Sequence, residues 1–335
     1  MQTLSQLMEQ SEAQYRIFDL GRSVRTLDHS TFKKFEASEI PYPYPMLGHA
    51  WFALLFWAPE TKQEHQIWFI KFPLDEQGLL KQACRDDFIK RTLEEIAQQQ
   101  AGEQRQKAAA DNPWGFTPKQ DKMATIHAKC SVAMGMEPSQ FYGGARAYLQ
   151  QPKGDWQTLG LQGIADFCAR LEQDDNEAIL IQALPALPDE FLLLFLPQLE
   201  NEILSPALAE ATSTRCQNFS NGNLVSATIR ALAQAKGDAL QHYVTQSLAS
   251  PQRHNVEVLV AISGRAWEVL SNDAIALQFL EALAANDAGQ QAFNHILRDL
   301  LYLPEIGPLI RQTFRSQARS ERLIETLGEF LKDVQ

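Results

Sequence analysis

Few residues in this chain have the types and spacing that chemistry needs. His127 and Cys130 lie at i, i+3, which on a helix would set an imidazole and a thiolate on one face as two metal ligands. No second pair follows at zinc-like spacing, so two ordinary interior residues are the simpler expectation. Glu172–Ala178 reads EQDDNEA, acidic enough for calcium but without the glycine and ligand spacing of a calcium loop. Asp174, Asp175 and Asn176 are instead expected to cap the next helix. Gly143 and Gly144 stand together outside any GxGxxG or P-loop pattern, which predicts a turn or a close helix contact rather than an anion cradle. There is no GxSxG elbow. Asp19, Asp28 and His29 are neighbours in sequence, which alone makes no dyad. The sequence therefore predicts no catalytic residue, no cofactor and no metal site.

The remaining polar pattern is basic. Arg311, Arg315, Arg319 and Arg322 recur at spacings of four, four and three, a stripe in an otherwise acidic half. Like charges so spaced on a helix cost only about 0.2–0.5 kcal/mol per pair. Burying one leucine is worth roughly 1.5–3 kcal/mol, so the stripe is tolerable without a function. Glu321 and Glu325 are acidic neighbours it could pair with, and an acidic protein partner is the docking it would suit.

The charge of the chain is divided unevenly. Residues 1–150 carry 17 Lys/Arg against 18 Asp/Glu, and residues 151–335 carry 13 against 23. The second half is therefore a poor phosphate binder, and no nucleic-acid partner is expected. With 45% hydrophobic residues the chain has material for a folded core, and its 335 residues suit two domains, or one domain and a repeat array. The start, MQTLSQLMEQSE, lacks the basic and apolar regions of a secretory signal. Cys84, Cys130, Cys168 and Cys216 form no CxxC pair, which suits a reducing cytoplasm. The longest apolar run, Ala50–Ala58, has nine residues, against the roughly 20 of a membrane helix, so no membrane span is expected.

The expected fold is α+β over 1–112, connecting helices over 113–154, and a HEAT/armadillo-like α-α superhelix over 155–335. In the first part, Pro41, Pro43 and Pro45 impose an extended lead-in. Trp51–Trp57 and Gln66–Phe72 are then apolar at every position, or nearly so, across a polar turn. They read as a β-hairpin over 50–73, in a small antiparallel sheet covered on both faces. Tyr15–Leu20 supplies a third strand. HSTFKKFE begins a short helix with Ser30 as cap. Asp75 is expected to cap a long helix whose stripe is Leu79, Ala83, Leu93 and Ile96. Gln98–Pro113 reads as a frayed helical end or a flexible linker, with Thr117 and Pro118 opening the next helix.

Beyond residue 155 the apolar spacing is helical. Helix starts fall near Asn223, Asp238, His254, Asn272, Ala288, Glu305 and Ser320, so that alternate starts are about 31–34 residues apart, the mark of stacked helix pairs. EFLLLFLPQL, Glu190–Leu199, is apolar nearly all round and is expected to be fully buried.

The segments YRIFDLGR, IPYPYP, AWFALLFW and IWFIKFPLDEQGLL, followed by an acidic helical half, resemble the DUF3549 family of unknown function. The resemblance covers the whole chain and implies a bacterial cytosolic protein, with no activity to carry over. The leading functional expectation is a non-catalytic protein–protein interaction or scaffold protein, because helical arrays offer long continuous surfaces. The alternative is an enzyme or small-ligand binder with a pocket between the sheet domain and the helices, where Arg22, Tyr42, Tyr44 and His49 would be the residues to inspect. The hydrophobic density leaves room for a homodimer through either half.

Overall fold

The computed structural model describes residues 2–100 and 112–334, so most of the linker expected at 98–113 lies outside the described residues. The chain forms two compact units, 1–123 and 124–335. It is mostly helical, with one small sheet near its start. No described helix is long and apolar enough to cross a membrane.

The first unit contains α1 (Leu4–Gln10), β1 (Gln14–Asp19), β2 (Arg25–Leu27), α2 (His29–Glu36), β3 (His49–Trp57), β4 (Gln66–Pro73) and α3 (Gln82–Gln100). The strands form an antiparallel sheet in the order β2-β1-β3-β4. The apolar run of β3 takes a central position, paired on both edges, with Phe18 opposite Ala53 on one side and Phe52 opposite Ile70 on the other. Phe52, Ala53, Leu54 and Leu55 are all fully buried, so both faces of the strand centre are covered. Phe32 of α2 meets Phe52 edge-on at 5.2 Å, and Phe88 of α3 meets Phe72 at 5.9 Å. The aromatics of the proline-rich stretch are thus largely core, and Tyr42 is completely buried. The β4 edge is closed by residues 114–116: Lys71 donates to the Trp114 carbonyl at 2.8 Å and Phe116 to the Phe69 carbonyl at 3.2 Å.

Three local expectations need correction. The α2 cap is Asp28, not Ser30. Its carboxylate accepts from the Thr31 amide at 2.9 Å and the Ser30 hydroxyl at 2.7 Å, which hold it down to about 2. Asp75 closes a turn, accepting from the Gln77 and Leu79 amides, and α3 begins only at Gln82. That turn breaks the helical phase. The buried side of α3 carries Arg85, Phe88, Ile89 and Thr92, while Ala83, Leu93 and Ile96 are exposed.

Met46 and His49 exchange both backbone hydrogen bonds around Leu47 and Gly48, each at positive φ, +51° and +71°. This two-residue turn favours Asn-Gly, whereas Leu47 is 67% exposed in the left-handed region, where a branched side chain is strained. Leu47→Asn should therefore raise stability by about 1 kcal/mol in urea unfolding. A lower midpoint would show that the leucine is held there by contacts worth more than the strain.

The second unit begins within α4 (Gln120–Met134), two residues later than Thr117 and Pro118 implied. It continues with α5 (Tyr142–Gln150), α6 (Leu161–Cys168), α7 (Asn176–Ala183), α8 (Asp189–Leu199) and α9 (Pro206–Arg215). Then follow α10 (Gly222–Ala231), α11 (Ala239–Ala249), α12 (Val256–Arg265), α13 (Asp273–Ala284), α14 (Gly289–Leu301), α15 (Ile306–Thr313) and α16 (Glu321–Val334). From α10 on, each start lies within two residues of the position read from the periodicity. Each helix packs against the one two further along, so α6, α8, α10, α12, α14 and α16 form one row and α5, α7, α9, α11, α13 and α15 another. Neighbouring repeats also complete each other's helix starts. Asn221 caps α10 and Asn255 caps α12, Gln252 donates to the Ser220 carbonyl at 3.1 Å, and Asp287 accepts from the Val256 amide at 2.9 Å. In α8, Phe191, Leu192, Phe195 and Leu196 are fully buried, but Leu193, Leu194 and Pro197 keep partial exposure, so this helix is not enclosed all round.

A buried polar hub joins α4 through α7. Asp166 and Arg170 pair at 3.3 Å, Arg170 also donates to Ser131 Oγ and the Met136 carbonyl, and Asp166 accepts from the Ser139 amide. Asn176, expected as a cap, is instead fully buried, donating to the Tyr142 hydroxyl and the Arg170 carbonyl. Asp174 and Asp175 have positive φ, and the Asp175 side chain caps nothing.

Gly163 lies so close to the α5 entrance that an added Cβ would sit 2.3 Å from the Phe141 carbonyl oxygen. Gly143 and Gly144, by contrast, lie exposed in the first turn of α5 with open space around them, so they make neither a turn nor a tight contact. Gly163→Ala should destabilise the chain by about 2 kcal/mol or more. Gly144→Ala should stabilise it by about 0.5–1 kcal/mol through helix propensity. Thermal unfolding that moved both the same way would refute this assignment.

Candidate functional site

Three of the four residues singled out in the first half come together around Asp19, which in the sequence stood out only as a neighbour of Asp28 and His29. Asp19, the last residue of β1, is completely buried and accepts from the Tyr42 hydroxyl at 2.8 Å. Its second carboxylate oxygen, also buried, has no hydrogen-bond partner. Arg22, only 1% exposed, donates from Nε to the Pro45 carbonyl at 2.9 Å, pinning the proline-rich segment beside the strand end. The rings of Tyr42 and Tyr44 lie 6.5 Å apart, and the Arg25 guanidinium sits 4.7 Å over Tyr44. Lys122 closes the cluster by donating to the Leu20 and Gly21 carbonyls. His49 stays outside it, half-buried in the following hairpin, with Nδ1 2.8 Å from the Leu47 carbonyl.

Burial is the dominant influence on this cluster. It pushes the Asp19 carboxyl up, with the Tyr42 hydrogen bond and the charges of Lys122 and Arg25 pulling the other way. The Tyr42 phenol is driven well above its ordinary range by burial and by the adjacent carboxylate. Such a group is a joint: it fixes β1, the proline segment and the β3 edge, since Tyr42 also donates to the Trp51 carbonyl. The one signal for it in the sequence is an aspartate ending an apolar strand.

The other chemical candidates are dispersed. His127 is exposed while Cys130 is buried, and burial pushes its thiol up to about 12, so the pair presents no shared ligand face. His29 stacks on Tyr15 at 4.3 Å and Asp28 caps α2, so neither forms a dyad with Asp19. Among the described residues no three His, Cys, Asp or Glu side chains gather as metal ligands. The four C-terminal arginines do not share one helix. Arg311 lies in the last turn of α15, Arg315 and Arg319 in the connection, and Arg322 in the first turn of α16. Arg311, Arg319 and Arg322 donate to the carbonyls of Leu301, Ser316 and Ala284, holding down helix ends and the loop.

A further surface feature is the set of partly or fully exposed side chains along the α8–α14 row. It carries Leu193, Leu194 and Pro197 on α8, Ser226 and Arg230 on α10, Val260 and Gly264 on α12, and His295 and Arg298 on α14. Ser226 Oγ donates to the Glu257 carbonyl, which ties α10 to α12. Val260 is 43% exposed within it.

The raised Asp19 carboxyl has a measurable consequence. The folded state holds that proton more tightly than the unfolded chain, so Asp19 withdraws stability as pH rises from about 4 through its folded value. Asp19→Asn keeps an acceptor for Tyr42 but cannot ionise. Its stability relative to wild type should therefore improve with rising pH, and a pH-independent difference in urea midpoints would show that Asp19 does not titrate in this way.

No curated protein and no solved structure matches the chain. A family profile does, that of Protein of unknown function (DUF3549), over residues 1–331, which takes in both compact units. The sheet, the buried joint and the stacked helices described above are thus features of a member of that family: the chain belongs to DUF3549.

Proposed function

We propose that the protein is a non-catalytic protein-interaction or scaffold protein of the bacterial cytoplasm, whose second unit is a HEAT-like α-solenoid. The two-row packing of α5 through α16, each helix on the one two further along, supports the solenoid reading. The observation that carries the interaction reading is the strip across α8, α10, α12 and α14. In the other row, α11 exposes Gln241, His242, Thr245 and Gln246. The α8–α14 row instead leaves Leu193, Leu194 and Pro197 partly exposed and Val260 exposed, with Ser226, Arg230, His295 and Arg298 on the intervening and following helices. Apolar positions exposed on α8 and α12, with polar and basic side chains on α10 and α14, suit an extended protein segment lying across the array.

Affinity co-purification from the native host, read by mass spectrometry, tests this with two variants. Val260→Glu places a charge in the strip, and Arg311→Glu, Arg315→Glu, Arg319→Glu inverts the last basic residues. One dominant partner should be recovered with wild type and with the arginine variant, and be lost by at least tenfold with Val260→Glu. Loss only with the arginine variant would move the docking site to the last helices. Absence of any stoichiometric partner would overturn the reading in favour of an enzyme or small-ligand binder.

A further inference from the structure

α16 buries one apolar side and leaves a second apolar stripe beside it. Leu323, Leu327 and Phe330 are buried, and Phe330 meets Phe293 of α14 edge-on at 6.4 Å. Ile324 and Leu331, however, are 49% and 55% exposed. With Gly328 they follow the i, i+4, i+7 spacing that keeps residues within about 60° of one another around a helix. Of the large apolar side chains exposed in the described part of the second unit, these two alone share a helix. Glycine weakens a helix interior, and packing within the chain does not call for it here: a Cβ added at Gly328 would meet nothing within 4 Å. The missing side chain does permit another helix to cross the stripe closely, with an apolar residue on either side of the crossing.

The charges beside the stripe select that other helix. Glu321, Glu325 and Lys332 are exposed and lie on one flank of it. A two-fold axis through Gly328 brings the same flanks of two antiparallel α16 helices together. Glu325 then faces the turn of the other copy that holds Lys332, and the symmetry makes this contact twice. In a parallel pair the flank would face Ser320 and Leu327 of the other copy, neither of which is charged. Within the chain Lys332 holds Glu329 at 2.7 Å, an exposed pair that costs little to exchange. We propose that α16 is a self-docking surface, through which two copies of this chain pair by antiparallel α16 helices crossing at Gly328, with Ile324 and Leu331 at the seam and Glu325 against Lys332 at its rim. A helix of 14 residues is about 21 Å long and covers less than the roughly 800 Å² per partner of a standard interface, so the dimer is reversible and of micromolar affinity. It uses none of the α8–α14 surface, and neither proposal depends on the other.

Sedimentation velocity of the full chain from about 1 to about 200 µM tests this. Wild type should pass from monomer to dimer and no further. Leu331→Glu should weaken the dimer roughly tenfold or more while leaving the circular dichroism and urea midpoint unchanged. Glu325→Lys and Lys332→Glu should each weaken it by a smaller factor. An equimolar mixture of those two variants should dimerise at least as tightly as wild type, because each basic flank then meets an acidic one. Should Leu331→Glu disturb the fold, the two charge variants and their mixture carry the test without it. A wild type that stays monomeric throughout would overturn the proposal. So would a dimer that a folded Leu331→Glu leaves intact, or a mixture that pairs no more tightly than its separate components.

Discussion

Removing a carboxylate from water costs several kcal/mol unless donors replace the solvent it loses, and this chain does so repeatedly. Each buried acid is consequently a point where distant segments must meet. Glu36, at the end of α2, accepts from the Leu4 and Ser5 amides at 2.7 and 3.0 Å and from the Ser5 hydroxyl at 2.6 Å. It thereby fixes the first turn of α1, where the helix dipole also favours negative charge. Asp19 gathers Tyr42 and, through its field, Lys122 and Arg25. In the second unit Asp166 draws Arg170 and the Ser139 amide together, and Glu200, at the end of α8, takes Arg230 at 2.5 Å and Arg265 at 3.4 Å. Those two arginines sit in the last turns of α10 and α12, so one carboxylate aligns the ends of three successive helices of a row.

Apolar burial supplies the bulk of the driving force around these points. β3 is the clearest case, because a strand paired on both edges and apolar on both faces has one low-energy place in a sheet, its centre. The helical rows are similar in logic. Small residues such as Ala124, Ala128 and Ala165 let α4 and α6 approach closely, and Gly163 and Gly307 meet backbone carbonyls where a methyl group would not fit. Volume is therefore specified as tightly as polarity in this unit.

The hairpin, the third strand and the late helix starts were legible because a single physical period dominated each of them. Trp51–Trp57 could only be a covered strand, and Asn221, Asn255 and Asn272 announce helix starts by the same capping chemistry they perform. What escaped was decided by contacts across long separations. Asp75 has the look of a helix cap, yet the Leu74–Leu80 bridge spends it on a turn and shifts the phase of all that follows. Asn176 likewise reads as a cap until Arg146, Tyr142 and Arg170 surround it. Asp19 looked like a strand end, and the four arginines looked like a stripe because a string cannot show the break after Thr313.

The way neighbouring repeats finish each other's helix starts has a temporal side. The loop before α10 receives Gln252 from 32 residues downstream, and the first amide of α12 receives Asp287 from 31 downstream. During synthesis each of these starts must wait, incompletely bonded, until the following repeat has emerged. The last helix reverses the order: the Ser320 amide and hydroxyl are met by Glu281, which is already present when α16 appears. The starts of α10 and α12 thus draw on residues later in the chain, and the start of α16 on a residue earlier in it.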